Sequence, residues 1–217
     1  MSTEQYHQTL RRQICEIGRR LHQRGFISGA EGNISLRLND GTFLCTPTSV
    51  SKGFLAPEQV ARIDPAGNLL EGPLRPTSEC PMHLAIYQAQ PAAAAVVHAH
   101  PPYATALGVA DIPLPMDMLP EGLGYMVSVP LLPYRKPGSA DLARQVAEAC
   151  TACQVMMMKH HGATAWSDTL EGAWMLMEVV EAYARVTYLA RTLGRVDVLP
   201  PEKLAELPRA KMPRRPG

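Results

Sequence analysis

The residues with the most chemistry in this chain are the pair His98 and His100, a second pair, His160 and His161, followed by Gly162, and one carboxylate, Glu79. On a β-strand, residues i and i+2 face the same side, so His98 and His100 can offer their imidazoles to a single point. Catalytic zinc is usually held by three protein ligands with a fourth position left for water or substrate, and neutral imidazole suits it. The third ligand could come from His83, one helical turn beyond Glu79, or from the His160–His161 pair. The pair is preferred, because a strand end beside glycine lets backbone and ligand approach closely. Adjacent strand residues face opposite ways, so only one of the two can reach the metal. Glu79 beside such a centre is a candidate acid/base.

These residues need a helix and several strands to carry them. From Pro76 to His100 the chain reads as a helix followed by a strand. Thr77 and Ser78 favour helix initiation, Pro81 is tolerated only in a first turn, and Pro91 ends the run. Ala92–Val97 then leads as a strand into His98-Ala99-His100, which Pro101 and Pro102 terminate. Upstream, the spacing of Tyr6, Leu10, Ile14, Ile17 and Leu21 predicts an amphipathic helix over Glu4–Arg24, with His7 and His22 on its exposed side. Ile34–Leu38 and Thr42–Thr46 read as strands around the hairpin signal Asn39-Asp40-Gly41. Val60–Ile63, Val127–Leu132 and Val155–Lys159 read as further strands, and Tyr103–Leu107, Ser139–Cys153 and Thr169–Leu193 as helices. Hairpins first and helix-alternating strands later imply a mixed α/β chain with a largely antiparallel sheet covered by helices.

At 217 residues the chain suits one domain, expected over 1–199, followed by a loosely ordered Pro-rich basic tail over 200–217. A net charge of +1, with cationic clustering only at Arg209, Lys211, Arg214 and Arg215, argues against a nucleic-acid partner. No apolar run reaches membrane-spanning length and the amino-terminal segment is charged, so no membrane partner and a cytoplasmic location are expected. Five scattered cysteines argue against a disulfide framework, and Cys150-x-x-Cys153 reads as a pair of structural thiols closing a helix.

Two Gly-containing polar corners, residues 29–35 (GAEGNIS) and 46–53 (TPTSVSKG), flank the first strands. Hydroxyls and accessible main-chain N–H groups of this kind can hold a phosphate. Thr77 and Ser78 add a third donor group at a helix start, where the dipole favours an anion.

Taken together and in order, Gly32-Asn33-Ile34-Ser35, Thr46-Pro47-Thr48-Ser49, Pro76-Thr77-Ser78-Glu79, His98-Ala99-His100 and His160-His161-Gly162 resemble the class II aldolase/adducin-head family, and most of all its bacterial L-fuculose-phosphate aldolase-like branch. The resemblance implies a three-layer α/β/α sandwich around a central, mainly antiparallel sheet. It also implies one Zn2+ per subunit and a homotetramer with sites at subunit interfaces. It makes His98, His100 and His161 the zinc ligands and Glu79 the acid/base, and places a substrate phosphate among Asn33, Thr48, Ser49, Thr77 and Ser78. The implied activity is that of a zinc-dependent lyase cleaving a phosphorylated ketose by retro-aldol chemistry to dihydroxyacetone phosphate and an aldehyde. The alternative is decarboxylation or dehydration of a related sugar acid or sugar phosphate.

Two positions depart from the aldolase pattern. Ser49 stands where related aldolases have glycine, so a backbone position loses freedom and gains a hydroxyl. Met116–Glu121 lacks the tyrosine that the aldolase branch uses as proton donor on the aldehyde side.

Overall fold

The computed structural model describes residues 2–213; Arg214 and Arg215 of the basic tail lie outside them. Helix α1 (Thr3–Gln23) starts with a capping box in which Ser2 accepts from the Gln5 N–H and the Gln5 side chain reaches back to the Ser2 N–H. Its apolar stripe is buried as the spacing predicts, but His7 is buried with it, next to Tyr6, instead of lying on the solvent side.

Eight strands form one sheet: β1 (Asn33–Arg37), β2 (Phe43–Cys45), β3 (Ala61–Ile63), β4 (Leu69–Glu71), β5 (Ala95–Ala99), β6 (Leu131–Leu132), β7 (Val155–Met158) and β8 (Gly162–Ser167). Their order across the sheet is β4-β3-β2-β1-β5-β8-β7-β6, antiparallel at every pair except β6–β7. β5 therefore lies between β1 and β8. Asn33 sits opposite His98 on one side, and Thr164 on the other.

The period of two in the strands divides the core into two layers. β1 sends Ile34 and Leu36, and β5 sends Ala95, Val97 and Ala99, to one face, where α1, α3 (Pro102–Val109) and α6 (Leu170–Leu193) cover them. The alternate residues, Val96 and Trp166 among them, pack beneath α2 (Cys80–Ala89) and α5 (Ala140–Ala149). This is the expected three-layer sandwich.

Several boundaries differ from the sequence reading. The strand expected over Val127–Leu132 contracts to Leu131–Leu132, while β4 and β8 had no sequence signal of their own. Residues 201–206 form a short helix, α7 (Pro201–Glu206), where loose chain was expected. Main-chain bonds from Leu199 to Asp117 and from Ala210 to Leu123 hold the segment against the loop before α4 (Pro120–Tyr125) and against α4 itself. All five cysteines are free. Burial raises the thiol pKa values of Cys150 and Cys153 to about 11 and about 12, so both stay protonated packing groups. Among the described residues no helix is long and apolar enough to cross a membrane.

Candidate metal centre and active site

His98 is the last outward-alternating residue of β5 and is fully buried on the α2 side of the sheet. Its Nδ1 lies 2.9 Å from the carbonyl oxygen of Ala163 on β8. A carbonyl can only accept, so Nδ1 carries the proton and Nε2 presents its lone pair. His100 continues the same alternation one step past the strand. Its main-chain N–H is held by the Phe26 carbonyl before Pro101 and Pro102 turn the chain into α3.

The third ring comes from the β7–β8 turn. The His161 N–H closes the turn on the Met158 carbonyl, and His160 occupies the left-handed region at φ 55°. That geometry, not simple strand alternation, separates the two neighbouring histidines: His161 is turned inward and His160 stays exposed. Gly162 is required at the next position. A Cβ there would overlap the Ala99 carbonyl and stand 2.6 Å from His100 Cδ2. The glycine thus lets β8 close on the strand that carries the other two histidines.

The three rings converge, with centroids 4.7 Å apart for His98–His161, 5.1 Å for His98–His100 and 5.4 Å for His100–His161. One nitrogen from each lies within 4.8 Å of the others. His98 Nε2, His100 Nε2 and His161 Nδ1 are buried with no hydrogen-bond partner. Burial keeps His98 neutral, its pKa pushed down to about 3, and lowers that of His100. Three imidazoles whose buried, unpartnered nitrogens converge on a common centre are the donor set of a catalytic zinc site, and the residues fit that ion.

Glu79 is the N-cap residue of α2, so its carboxylate leaves the helix at the edge of the cluster. Oε2 lies 3.3 Å from His98 Nε2, and Oε1 lies 3.1 Å from His161 Nε2. Burial is the largest influence on its pKa and raises it. The neighbouring His98 and His161 rings and the amide of Asn33 outweigh burial, and the group stays ionised well below the usual carboxylate range.

Behind Glu79 runs a hydrogen-bond chain whose direction is fixed. Asn33 Nδ2 donates to Glu79 Oε2 at 2.8 Å, which turns Asn33 Oδ1 toward His83 Nε2 at 2.6 Å. His83 must therefore donate through Nε2 and accept at Nδ1, where Ser35 Oγ lies 2.7 Å away. Ser35 has spent its proton on His83, so the Tyr87 hydroxyl at 2.8 Å donates to it. Burial lowers the His83 pKa to about 4, in keeping with this neutral ring. His83 is thus a support for Glu79, outside the three-histidine group.

Asn33, Thr48, Thr77, Ser78, Glu79, His100 and His161 line one cavity of about 480 Å³. The side-chain amide of Asn33 is engaged by Glu79 and His83, and Thr77 Oγ1 accepts from the Glu79 N–H at 3.3 Å. Ser49 is exposed on the same loop, outside the cavity lining. It sits in the left-handed region at φ 57°, so the serine occupies a backbone conformation that favours glycine. His160, the other member of the histidine pair, also borders the cavity, as do Lys52 and Glu31, which their types and spacing did not single out. Only the Lys-Gly pair ending the 46–53 loop hinted at Lys52.

Residues 12–188 match the family described as Class II Aldolase and Adducin N-terminal domain. The chain is 36% identical over 190 residues to the 3-oxo-tetronate 4-phosphate decarboxylase of Cupriavidus necator, covering 86% of this chain and 85% of that one. It is 34% identical over 182 residues to the L-fuculose phosphate aldolase of Methanococcus maripaludis strain S2, covering 83% and 97%. The crystal structure of YgbL from Escherichia coli superposes with a TM-score of 0.87 at 31% identity, covering 93% of this chain and 99% of that one. With its histidine cluster, carboxylate and sandwich in place, the chain belongs to the class II aldolase and adducin N-terminal domain family.

Proposed function

We propose that the protein is a zinc-dependent decarboxylase of a four-carbon 3-oxo sugar acid carrying a terminal phosphate, giving dihydroxyacetone phosphate and carbon dioxide. The observation that carries this reading is the convergence of the His98, His100 and His161 rings and the Glu79 carboxylate beside a cavity lined by Thr48, Thr77 and Ser78. Relatives at 36% and 33% identity bear the name 3-oxo-tetronate 4-phosphate decarboxylase, which supports the substrate class.

His98, His100 and His161 would hold one zinc ion per chain, whose charge supplies an electron sink for the substrate's neighbouring oxygens. Ionised Glu79 takes the proton of the C2 hydroxyl. The C1–C2 bond breaks, CO2 leaves, and the electron pair it leaves on C2 is delocalised toward the C3 oxygen. Glu79 then returns its proton to C2, and the C2 oxygen is reprotonated from solvent. One carbon dioxide leaves and one solvent proton is consumed overall. Asn33 keeps the Glu79 carboxylate aimed at the reacting carbon, and the hydroxyls of Thr48, Thr77 and Ser78 donate to the phosphate.

Retro-aldol cleavage leaves the same electron pair on the same carbon, and the sequence alone puts it first. Decarboxylation moves ahead because it needs no proton transfer on an aldehyde side. The Met116–Glu121 loop offers no hydroxyl for one, and the main-chain N–H groups of Met118 and Leu119 are tied to the Tyr183 hydroxyl of α6. We further propose a homotetramer in which neighbouring chains border the cavity. The exposed Phe54, Tyr188, Leu189 and Leu193 support it, since such side chains favour a covered face.

The test is to incubate zinc-loaded protein separately with 3-oxo-tetronate 4-phosphate and with L-fuculose 1-phosphate, following carbon dioxide and dihydroxyacetone phosphate. Equal amounts of both products from the first substrate are expected. Dihydroxyacetone phosphate from the second substrate alone would return the assignment to aldol cleavage.

A further inference from the structure

Lys52 follows the Thr48 loop in a single 3-10 turn (Lys52–Phe54) and is only 2% exposed. Its backbone is pinned against α1, where a Cβ at Gly18 would overlap the Lys52 carbonyl and lie 3.1 Å from Lys52 Cβ. From there the side chain runs to the cavity that holds Glu79, His100 and His161, and its ammonium donates to the Ala30 carbonyl. An ammonium has three donors, so two remain beyond that bond. Among the described residues Lys52 forms no ion pair, and its ammonium is the one Lys or Arg charge on the cavity lining.

A buried ammonium without a counter-ion is costly, and protein interiors keep one only where an anion completes it. The two carboxylates that influence Lys52, Glu31 and Glu79, are both committed elsewhere. Glu31 accepts from the Ser28 and Gly29 N–H groups, and Glu79 faces the histidines. A phosphate monoester carries roughly −1.5 to −2 charge near neutral pH. The hydroxyls of Thr48, Thr77 and Ser78 supply direction to such a group but no compensating charge.

We propose that Lys52 is the cationic partner of the substrate phosphate, so that this cavity recognises the dianion by charge pairing as well as by neutral donors. The inference rests on the phosphorylated-substrate reading above and assigns Lys52 a specificity role in it. It also accounts for a lysine buried beside a glycine of α1, a placement that tying down the Ala30 carbonyl would not by itself require.

The experiment is an equilibrium titration of zinc-loaded protein with inorganic phosphate, comparing the native chain with Lys52→Gln, which retains a donor for Ala30, and with the apolar Lys52→Met. Losing one charge-assisted contact should weaken phosphate binding about 10- to 100-fold in both variants. Added salt should weaken binding to the native chain more than to either variant. The KM for 3-oxo-tetronate 4-phosphate should rise by a similar factor, with a smaller fall in kcat. Undiminished phosphate binding by both variants overturns the role of Lys52 while leaving native turnover, and so the functional reading, standing. Lysine-dependent phosphate binding without turnover supports Lys52 and counts against the decarboxylase assignment. Loss of zinc or a lowered melting temperature in both variants, together with lost phosphate binding, would mark the lysine as a structural tie and overturn the proposal.

Discussion

On the side of the sheet covered by α1, α3 and α6, β1 and β5 present Ile34, Leu36, Ala95, Val97 and Ala99 to an apolar layer. On the side facing α2, the same two strands present Asn33 and Ser35, which enter a polar chain reaching from Tyr87 to Glu79, and His98, whose Nε2 lies 3.3 Å from the Glu79 carboxylate. One five-residue strand thus serves stability and chemistry in alternate residues. The contrast teaches that this fold does not set its candidate site apart on a mobile loop. Two of the three converging histidines, His98 and His100, ride on or just beyond the central strand, held by pairing on both sides.

If that division is real, substitutions on the two faces should fail in different ways. The largest effect belongs to His98→Ala, which should remove bound zinc, measured by metal analysis, and abolish turnover while the chain remains folded. Retention of a full complement of zinc would break the ligand assignment. Glu79→Gln should keep the metal but lower kcat about 10²- to 10⁴-fold, as expected when a positioned acid/base is lost. On the opposite face, Ile34→Ala should destabilise the fold by about 2–5 kcal/mol in urea unfolding, while zinc content and KM stay as they were. A large change in KM from Ile34→Ala would show that the faces are not independent.

The smallest expected effect is a pH dependence of stability arising from His83. Its folded-state pKa is depressed from 6.5 to about 4 by burial, so on acidification the unfolded chain takes up the proton first. Its contribution is therefore complete above about pH 6.5 and declines as the pH falls from there to about 4. Unfolding curves for metal-free protein across that window should be steeper in pH for the native chain than for His83→Gln. Equal slopes would remove His83 from the account.

Much of this arrangement was legible in the sequence because it follows from short periods. The His98–His100 spacing, the prolines after it, the helix head at Glu79 and the hairpin around Asn39–Gly41 all declare themselves locally. β8 did not, because Gly162-Ala163-Thr164-Ala165 carries small side chains without the alternation of a half-buried strand. Pairing with β5 and β7 makes it a strand. The choice among His83, His160 and His161 was beyond spacing as well. It depends on the left-handed His160 in the turn and on an Asn33–Ser35 pair that engages both nitrogens of His83. Lys52 was hidden for a similar reason, since its burial follows from a glycine 34 positions earlier on another element.

The contact at Gly162 has a practical consequence. Because main chain meets main chain where β8 closes on Ala99, the span between the three histidines is set by peptide geometry more than by the bulk of surrounding side chains. Directed evolution could then rework the cavity wall around Thr48, Ser78 and Pro137 for new substrates without disturbing the histidine cluster. Position 162 is the one that a mutant library should leave alone.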